Sequence, residues 1–200
     1  MPRTPASAVR LLGIVSGAGV AGLGLACLLV LAIGLATAAS PGASWFTAMD
    51  VLILLLAPFP LGLAAAVRGT GLAPGSTRLA LPCMAAAMAL AGVVHLSTLA
   101  LGGMNDALAW PSLPHALDIL AWDGLFAIAV LLMAPAFRGE TAIHRLLIAS
   151  GGLALAGLIG PITGVMALRL IGIAGHALAF PVAAALIARW FSRWRPAART

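Results

Sequence analysis

The chain has 200 residues, 62% of them hydrophobic and only 8% charged, with a formal net charge of +6. That composition cannot cover a soluble globule with polar surface, so lipid is the expected solvent. A basic balance would suit nucleic acid, but there is no lysine, and outside the C-terminal tail the arginines stand singly or in pairs at the ends of apolar runs. They read as topology signals, and no nucleic-acid partner is expected.

Six apolar stretches follow one another, each near the roughly 20 residues that carry a helix across a bilayer. They cover approximately residues 9–36, 45–67, 79–101, 115–137, 143–160 and 165–191, and a short basic tail, 192–200, closes the chain. Backbone in hydrocarbon must satisfy its polar groups within a helix or a closed barrel. Runs rich in Ala, Leu and Gly without alternating polarity favour the helix. The predicted class is therefore all-α, a single polytopic domain of six transmembrane helices.

The first stretch resembles an export signal in having Arg3 and Arg10 before it. From Leu11 to Ala36 it carries no charge, which exceeds the roughly 7–15 residues of a signal core, so a retained helix is expected. Cys27 and Cys83 both fall inside apolar runs and are read as small packing residues, not a disulfide. Turn chemistry marks Ser40-Pro41-Gly42, residues 69–76 and residues 102–106. The fifth turn has two candidates: Gly160-Pro161-Ile162-Thr163-Gly164, or a position near residues 168–172.

Arg3, Arg10, Arg68, Arg78, Arg138, Arg145, Arg189, Arg193, Arg195 and Arg199 fall on one side of this topology, and only Arg169 on the other. The positive-inside rule then places both termini in the cytoplasm of a cell with an inner (plasma) membrane. Trp45 and Trp110 at outer ends, and Trp190 and Trp194 at the inner end of the sixth helix, suit the headgroup level. Trp122 lies deeper. Small residues four apart, at Gly13/Gly17, Ala18/Gly22, Gly152/Ala156 and Gly160/Gly164, permit close helix contact within the bundle or between copies of it. Glu140 and His144 are spaced for a local contact at the start of the fifth helix.

The outer half collects Asp50, Asp106, Asp118 and Asp123 with His95, His115 and His176. In the fourth helix His115, Asp118, Trp122 and Asp123 share an arc of roughly 140° at 100° per residue. An ionisable group deep in hydrocarbon costs at least about 2.5–3.5 kcal/mol on insertion scales, so that arc turns inward. In the sixth helix Arg169 and His176, seven apart, offer a matching face. In the third, His95 lies beside Gly92 and Thr98.

The expectation is an outward-opening polar pocket between the third, fourth and sixth helices, built from His95, His115, Asp118, Trp122, Asp123, Arg169 and His176. It would bind a small molecule or cation in a sensing or transport-related role. Four other roles are available to the same residues. The cluster can serve packing alone, as in a structural or assembly subunit, with Arg169 paired to Asp118 or Asp123. His95, His115 and His176 with Asp118 can ligate a metal or haem iron. Asp123, Arg169 and His176 can begin a proton or cation pathway, although the cytoplasmic half offers nothing to continue it. An Asp/His pair with Ser97 can hydrolyse an acyl bond, although Ser97 lacks a nucleophile motif. No cofactor and no catalytic residue is assigned by the sequence.

Overall fold

In a computed structural model of the chain, residues 5–36, 43–100 and 111–195 are described. Asp106, Trp110, the side chain of Trp45, the turn at Ser40-Pro41-Gly42, the turn at residues 102–106, Arg3 and Arg199 lie outside them. The described chain is all helical, and six helices are long and apolar enough to cross a membrane. They are α1 (Pro5–Ala36), α2 (Ala43–Leu56 continued by Pro58–Gly69), α3 (Pro74–Ala100), α4 (Leu113–Phe137), α5 (Thr141–Thr163) and α6 (Met166–Arg193).

The apolar pattern explains the layout. Phe126, Phe137, Phe180, Phe191, Leu63, Met84, Met133, Leu147 and Ile187 are fully buried between the helices, while Leu29, Ile33, Leu55, Leu79, Val93, Leu96, Leu120 and Ile162 face outward and exposed. Large apolar side chains on the outside, over long helices that satisfy their own backbone, suit a lipid solvent.

α1 packs most extensively on α6, with α2 as its other main neighbour. Its glycines permit the approach. A Cβ on Gly13 would strike the ring of Phe191, and one on Gly17 would lie 2.6 Å from the Ala184 carbonyl. The Gly13/Gly17 pair is therefore a contact within the bundle. Gly22 and Gly152 have nothing within 4 Å of such a Cβ and lie on exposed faces. Cys27 is buried in α1 and Cys83 half-buried in α3, both as free thiols.

Prolines set the irregularities. Pro58 and Pro60 have no N–H to give the preceding turn, so the bond ladder of α2 is interrupted around Ala57 while its backbone stays helical. α5 is regular to Ala156, loosens at Gly157 and Leu158 ahead of Pro161, and ends at Gly164, whose φ of 76° is left-handed. The fifth turn is thus the first of the two candidates, and glycine terminates the helix there for the usual reason, the absence of a Cβ. One tight turn, Met166–Leu168, then leads into the helix at Arg169.

At the end of the bundle that holds the termini, His144 Nδ1 meets the Ala134 carbonyl at 2.9 Å, and the Glu140 side chain makes no capping bond. The histidine thus bonds a carbonyl of the preceding turn in place of the expected Glu140 contact. Trp190 packs edge-on to Phe137 and Phe191, with Trp194 beside it, and Arg10 donates to the Ser192 carbonyl, tying the start of α1 to the end of α6.

Candidate functional site

At the opposite end, four helices bring their ionisable side chains to one place. Asp50 lies three residues after Thr47 in α2, His95 five before the end of α3, Asp118 five after Leu113 in α4, and Arg169 three after Met166 in α6. Asp50, His95, Asp118 and Asp123 are all at most 8% exposed. Charges at that depth must find partners within the bundle.

The partners form a chain in which acids and bases alternate. His95 Nδ1 donates to Asp50 Oδ1 at 2.6 Å, and its Nε2 faces Asp118 Oδ1 at 3.3 Å. Arg169 Nη2 donates to Asp118 Oδ2 at 2.7 Å and Nε to Asp123 Oδ2 at 3.3 Å. The third guanidinium nitrogen, Nη1, lies 2.8 Å from His115 Nε2. Guanidinium has no lone pair to offer, so this imidazole nitrogen accepts. His176 Nε2 stands 3.8 Å from Asp123 Oδ1 at the far end. Charge-assisted bonds of this kind are shorter and stronger than neutral ones, and Arg169 is the junction of three.

Two π-helical turns position the deeper half. One, Leu120–Phe126 in α4, carries Trp122 and Asp123; the other, Ala174–Ala179 in α6, carries His176. Such turns interrupt the α-helical register locally, with bonds that span five residues. Ser150 of α5, fully buried, adds a bond to the second turn by donating at 2.9 Å to the Gly175 carbonyl, which also accepts the Phe180 N–H. Gly175 itself must be glycine, since a Cβ would lie 2.6 Å from both Ala154 N and the Ser150 carbonyl. Replacing Ser150 with alanine is expected to remove one of the two bonds to that carbonyl, the Phe180 N–H keeping the other, and to lower stability by about 0.5–1.5 kcal/mol in a reversible unfolding titration; replacement by threonine, which keeps the hydroxyl, is the control.

Asp123 is completely buried because two more glycines make room for it. A Cβ on Gly172 would lie 2.6 Å from Asp123 Oδ1, and one on Gly157 would lie 3.0 Å from Asp123 Cγ. Trp122 stacks obliquely on His176 with ring centroids 5.2 Å apart, and Phe126 lies edge-on to His176 and to Phe180. The aromatic group seals the network on the side towards the termini.

Beside the network lies a cavity of about 550 Å³, lined by Asp50, His95, Asp118, Trp122, Arg169 and His176 at its polar part. The remainder is apolar, with one long face of α1 and parts of α2 and α6 as its walls. Of the buried polar atoms here, Asp50 Oδ2 has no hydrogen-bond partner, while His95 Nε2 and Asp118 Oδ1, and His176 Nε2 and Asp123 Oδ1, face each other without a well-aligned bond.

All seven residues singled out from the sequence lie in this region, and α3, α4 and α6 do meet through Asp118. Arg169 pairs with both candidate carboxylates, not with one. Asp50 is the residue that sequence reasoning left out of the site. Its signal was available: an ionisable group inside an apolar span obeys the same rule as Asp118 and Asp123. The four side chains considered for a metal turn to different partners, His95 to Asp50 and Asp118, His115 to Arg169, and His176 towards Asp123. Among the described residues no group of three or more His, Cys, Asp or Glu is arranged to hold a metal ion. Ser97 bonds the Val93 carbonyl at 2.7 Å on an exposed face of α3. No protein-family model matches the chain, and neither a curated protein nor a solved structure is significantly similar to it.

Proposed function

We propose that the chain is a multi-pass inner-membrane protein with both termini in the cytoplasm, which binds a small molecule or cation in a pocket reached from the outer face. Its role would be sensing or transport-related. The observation that carries this reading is the 550 Å³ cavity lined at one end by Asp50, His95, Asp118, Arg169 and His176, beside a buried Asp50 Oδ2 that no protein group bonds. An unsatisfied buried acceptor costs about 1–3 kcal/mol, and more when charged. A network that serves packing alone is best when every lone pair is bonded and the surroundings are closed.

Two further features support the reading. The half of the bundle nearer the termini has an apolar core, and every buried carboxylate among the described residues belongs to the network. Binding at one end is therefore favoured over a path through the membrane. Arg10, Arg68, Arg78, Arg138, Arg145, Arg189 and Arg193 all lie near the end that holds the termini, as the positive-inside rule requires of a cytoplasmic end.

Native mass spectrometry of the protein, extracted from its membrane directly into lipid nanodiscs, tests the pocket. The expected result is a bound non-protein mass that is lost or reduced in Asp118→Asn. Bare protein from every preparation, with thermal stability lowered in Asp123→Asn and His176→Ala, would overturn the binding role in favour of packing. Orientation is tested by reporter fusions after Arg78, Arg145 and Thr200, expected to report cytoplasm, and after Gly103, expected to report the outside. An outside signal at Thr200 would reverse the assignment.

A further inference from the structure

The cavity begins where α1 and α6 part. On the face of α1 that packs on α6, a Cβ on Gly17 would lie 2.6 Å from the Ala184 carbonyl, and one on Gly24 would lie 2.6 Å from Pro181 Cγ. Cys27, Leu31 and Gly34 continue that face at helical spacing, yet they line the cavity together with Ile173, His176 and Ala177 of α6. The two helices thus touch as far as Gly24 and Pro181, and the cavity occupies the space beyond.

The charged atoms at its polar end are largely committed to one another. His95 stands between Asp50 and Asp118, and Arg169 uses each of its three nitrogens on Asp123, His115 and Asp118. Two uncharged groups are not committed. His176 turns its buried Nε2 to Asp123 Oδ1 at 3.8 Å. Among the described residues its other ring nitrogen, Nδ1, has no protein partner and is not closed off, and the same holds for the indole Nε1 of Trp122. Both residues line the cavity, and their rings lie 5.2 Å apart, inclined at 31°.

These two nitrogens differ in what they offer. In a neutral imidazole one nitrogen carries the proton and the other accepts. The carboxylate opposite Nε2 draws the proton to that side, which leaves Nδ1 with a lone pair, whereas an indole N–H can only donate. One acceptor and one donor on neighbouring rings match a hydroxyl, which is both. A hydroxyl also needs no counter-charge. The rest of the wall here, Cys27, Leu31, Ile53, Ile173 and Ala177, is apolar, and a charged ligand group would be desolvated against it without a partner. Phe126 and Phe180 extend the cluster of rings behind Trp122 and His176, a surface that a flat aromatic body covers by offset or edge-on contact.

We infer that the cavity takes an uncharged, lipid-soluble phenol, its hydroxyl donating to His176 Nδ1 and accepting from Trp122 Nε1. This rests on the pocket reading above and adds to it the charge, the polar group and the shape of the ligand.

The test titrates the full chain in lipid nanodiscs with a bromine-labelled naphthol and with the methyl ether of the same compound, which keeps the oxygen and loses the donated proton. Trp122 lines the cavity, so bromine bound there quenches its fluorescence, while probe dissolved in the lipid quenches without saturating. The saturable quenching by the naphthol is expected to be at least about fivefold tighter than that by the ether, the share of one hydrogen bond. His176→Phe should bring the two probes to equal affinity, and His176→Asn, which returns a hydrogen-bonding group near the place of Nδ1, should restore part of the difference. Ala177→Phe, which fills the apolar part, should abolish saturable quenching by both. Equal affinity of the two probes for the wild type, or a preference for the naphthol that survives His176→Phe, overturns the inference and leaves the pocket reading standing. Each comparison is made between two probes on one protein, so a lower stability of a variant does not decide it. The pocket reading fails separately, on the absence of a bound mass in native mass spectrometry.

Discussion

Replacing Arg169 with alanine is expected to destabilise the protein by about 3–5 kcal/mol, the cost of removing one partner from a buried ion network. The magnitude follows from what remains. Asp118 and Asp123 would face each other with no cation between them, and His115 would lose its donor at 2.8 Å. Arg169→Lys should recover only part of the loss, because one ammonium cannot reproduce three contacts made by three different nitrogens. Removing both charges with the arginine, as Arg169→Ala with Asp118→Asn and Asp123→Asn, should return much of the stability, since neutral amides do not leave uncompensated charge in a dry site. Unfolding midpoints in a fixed detergent measure all three variants. If Arg169→Ala falls within about 0.5 kcal/mol of the wild type, the range of an ordinary surface substitution, the network is not the keystone described above.

The second large effect is steric. Gly172→Ala places a Cβ 2.6 Å from Asp123 Oδ1 and 2.9 Å from Gly157 Cα, and the second of these is backbone, which cannot rotate aside. Overpacking of this kind costs about 1–3 kcal/mol, and by pushing α6 off α5 it also lengthens the Arg169 to Asp123 contact. Gly152→Ala is the informative control. Its Cβ meets nothing within 4 Å, so the intrinsic helix preference for alanine, up to about 1 kcal/mol, should make it neutral or stabilising. The same substitution is thus expected to act with opposite sign at two glycines of adjacent helices. Equal effects at both would remove the close crossing of α5 and α6 as the reason for Gly172.

Much of the architecture was legible because lipid imposes a simple rule. Spans follow from uninterrupted apolar length, and inward faces from where the charges sit; His115, Asp118 and Asp123 could be placed on one side of a helix from their offsets alone. The pairings were not legible. Arg169 of α6 reaches Asp118 and Asp123 of α4, and nothing in local spacing selects those partners over others. Nor does a wheel drawn at a constant angle per residue survive the π-helical turns at Leu120–Phe126 and Ala174–Ala179, which rotate Trp122, Asp123 and His176 relative to the α-helical register. The part of α1 in the cavity wall escaped for another reason. Gly24, Cys27 and Gly34 look like packing residues by composition, and only the positions of α2 and α6 decide which stretch of α1 is covered and which is left lining space.

The spacing of the ion network along the chain also sets a clock. Asp118 and Asp123 are made 51 and 46 residues before Arg169, so α4 reaches the membrane well ahead of its cation. At about 5–20 residues per second of synthesis, the two carboxylates wait roughly 2–10 s before Arg169 exists. During that interval α4 is held in the membrane only by its apolar residues and by the helices already inserted. Arrival of α6 ends the wait, which makes completion of the last helix the event that commits the bundle, and a chain stalled after α5 the form most exposed to quality control.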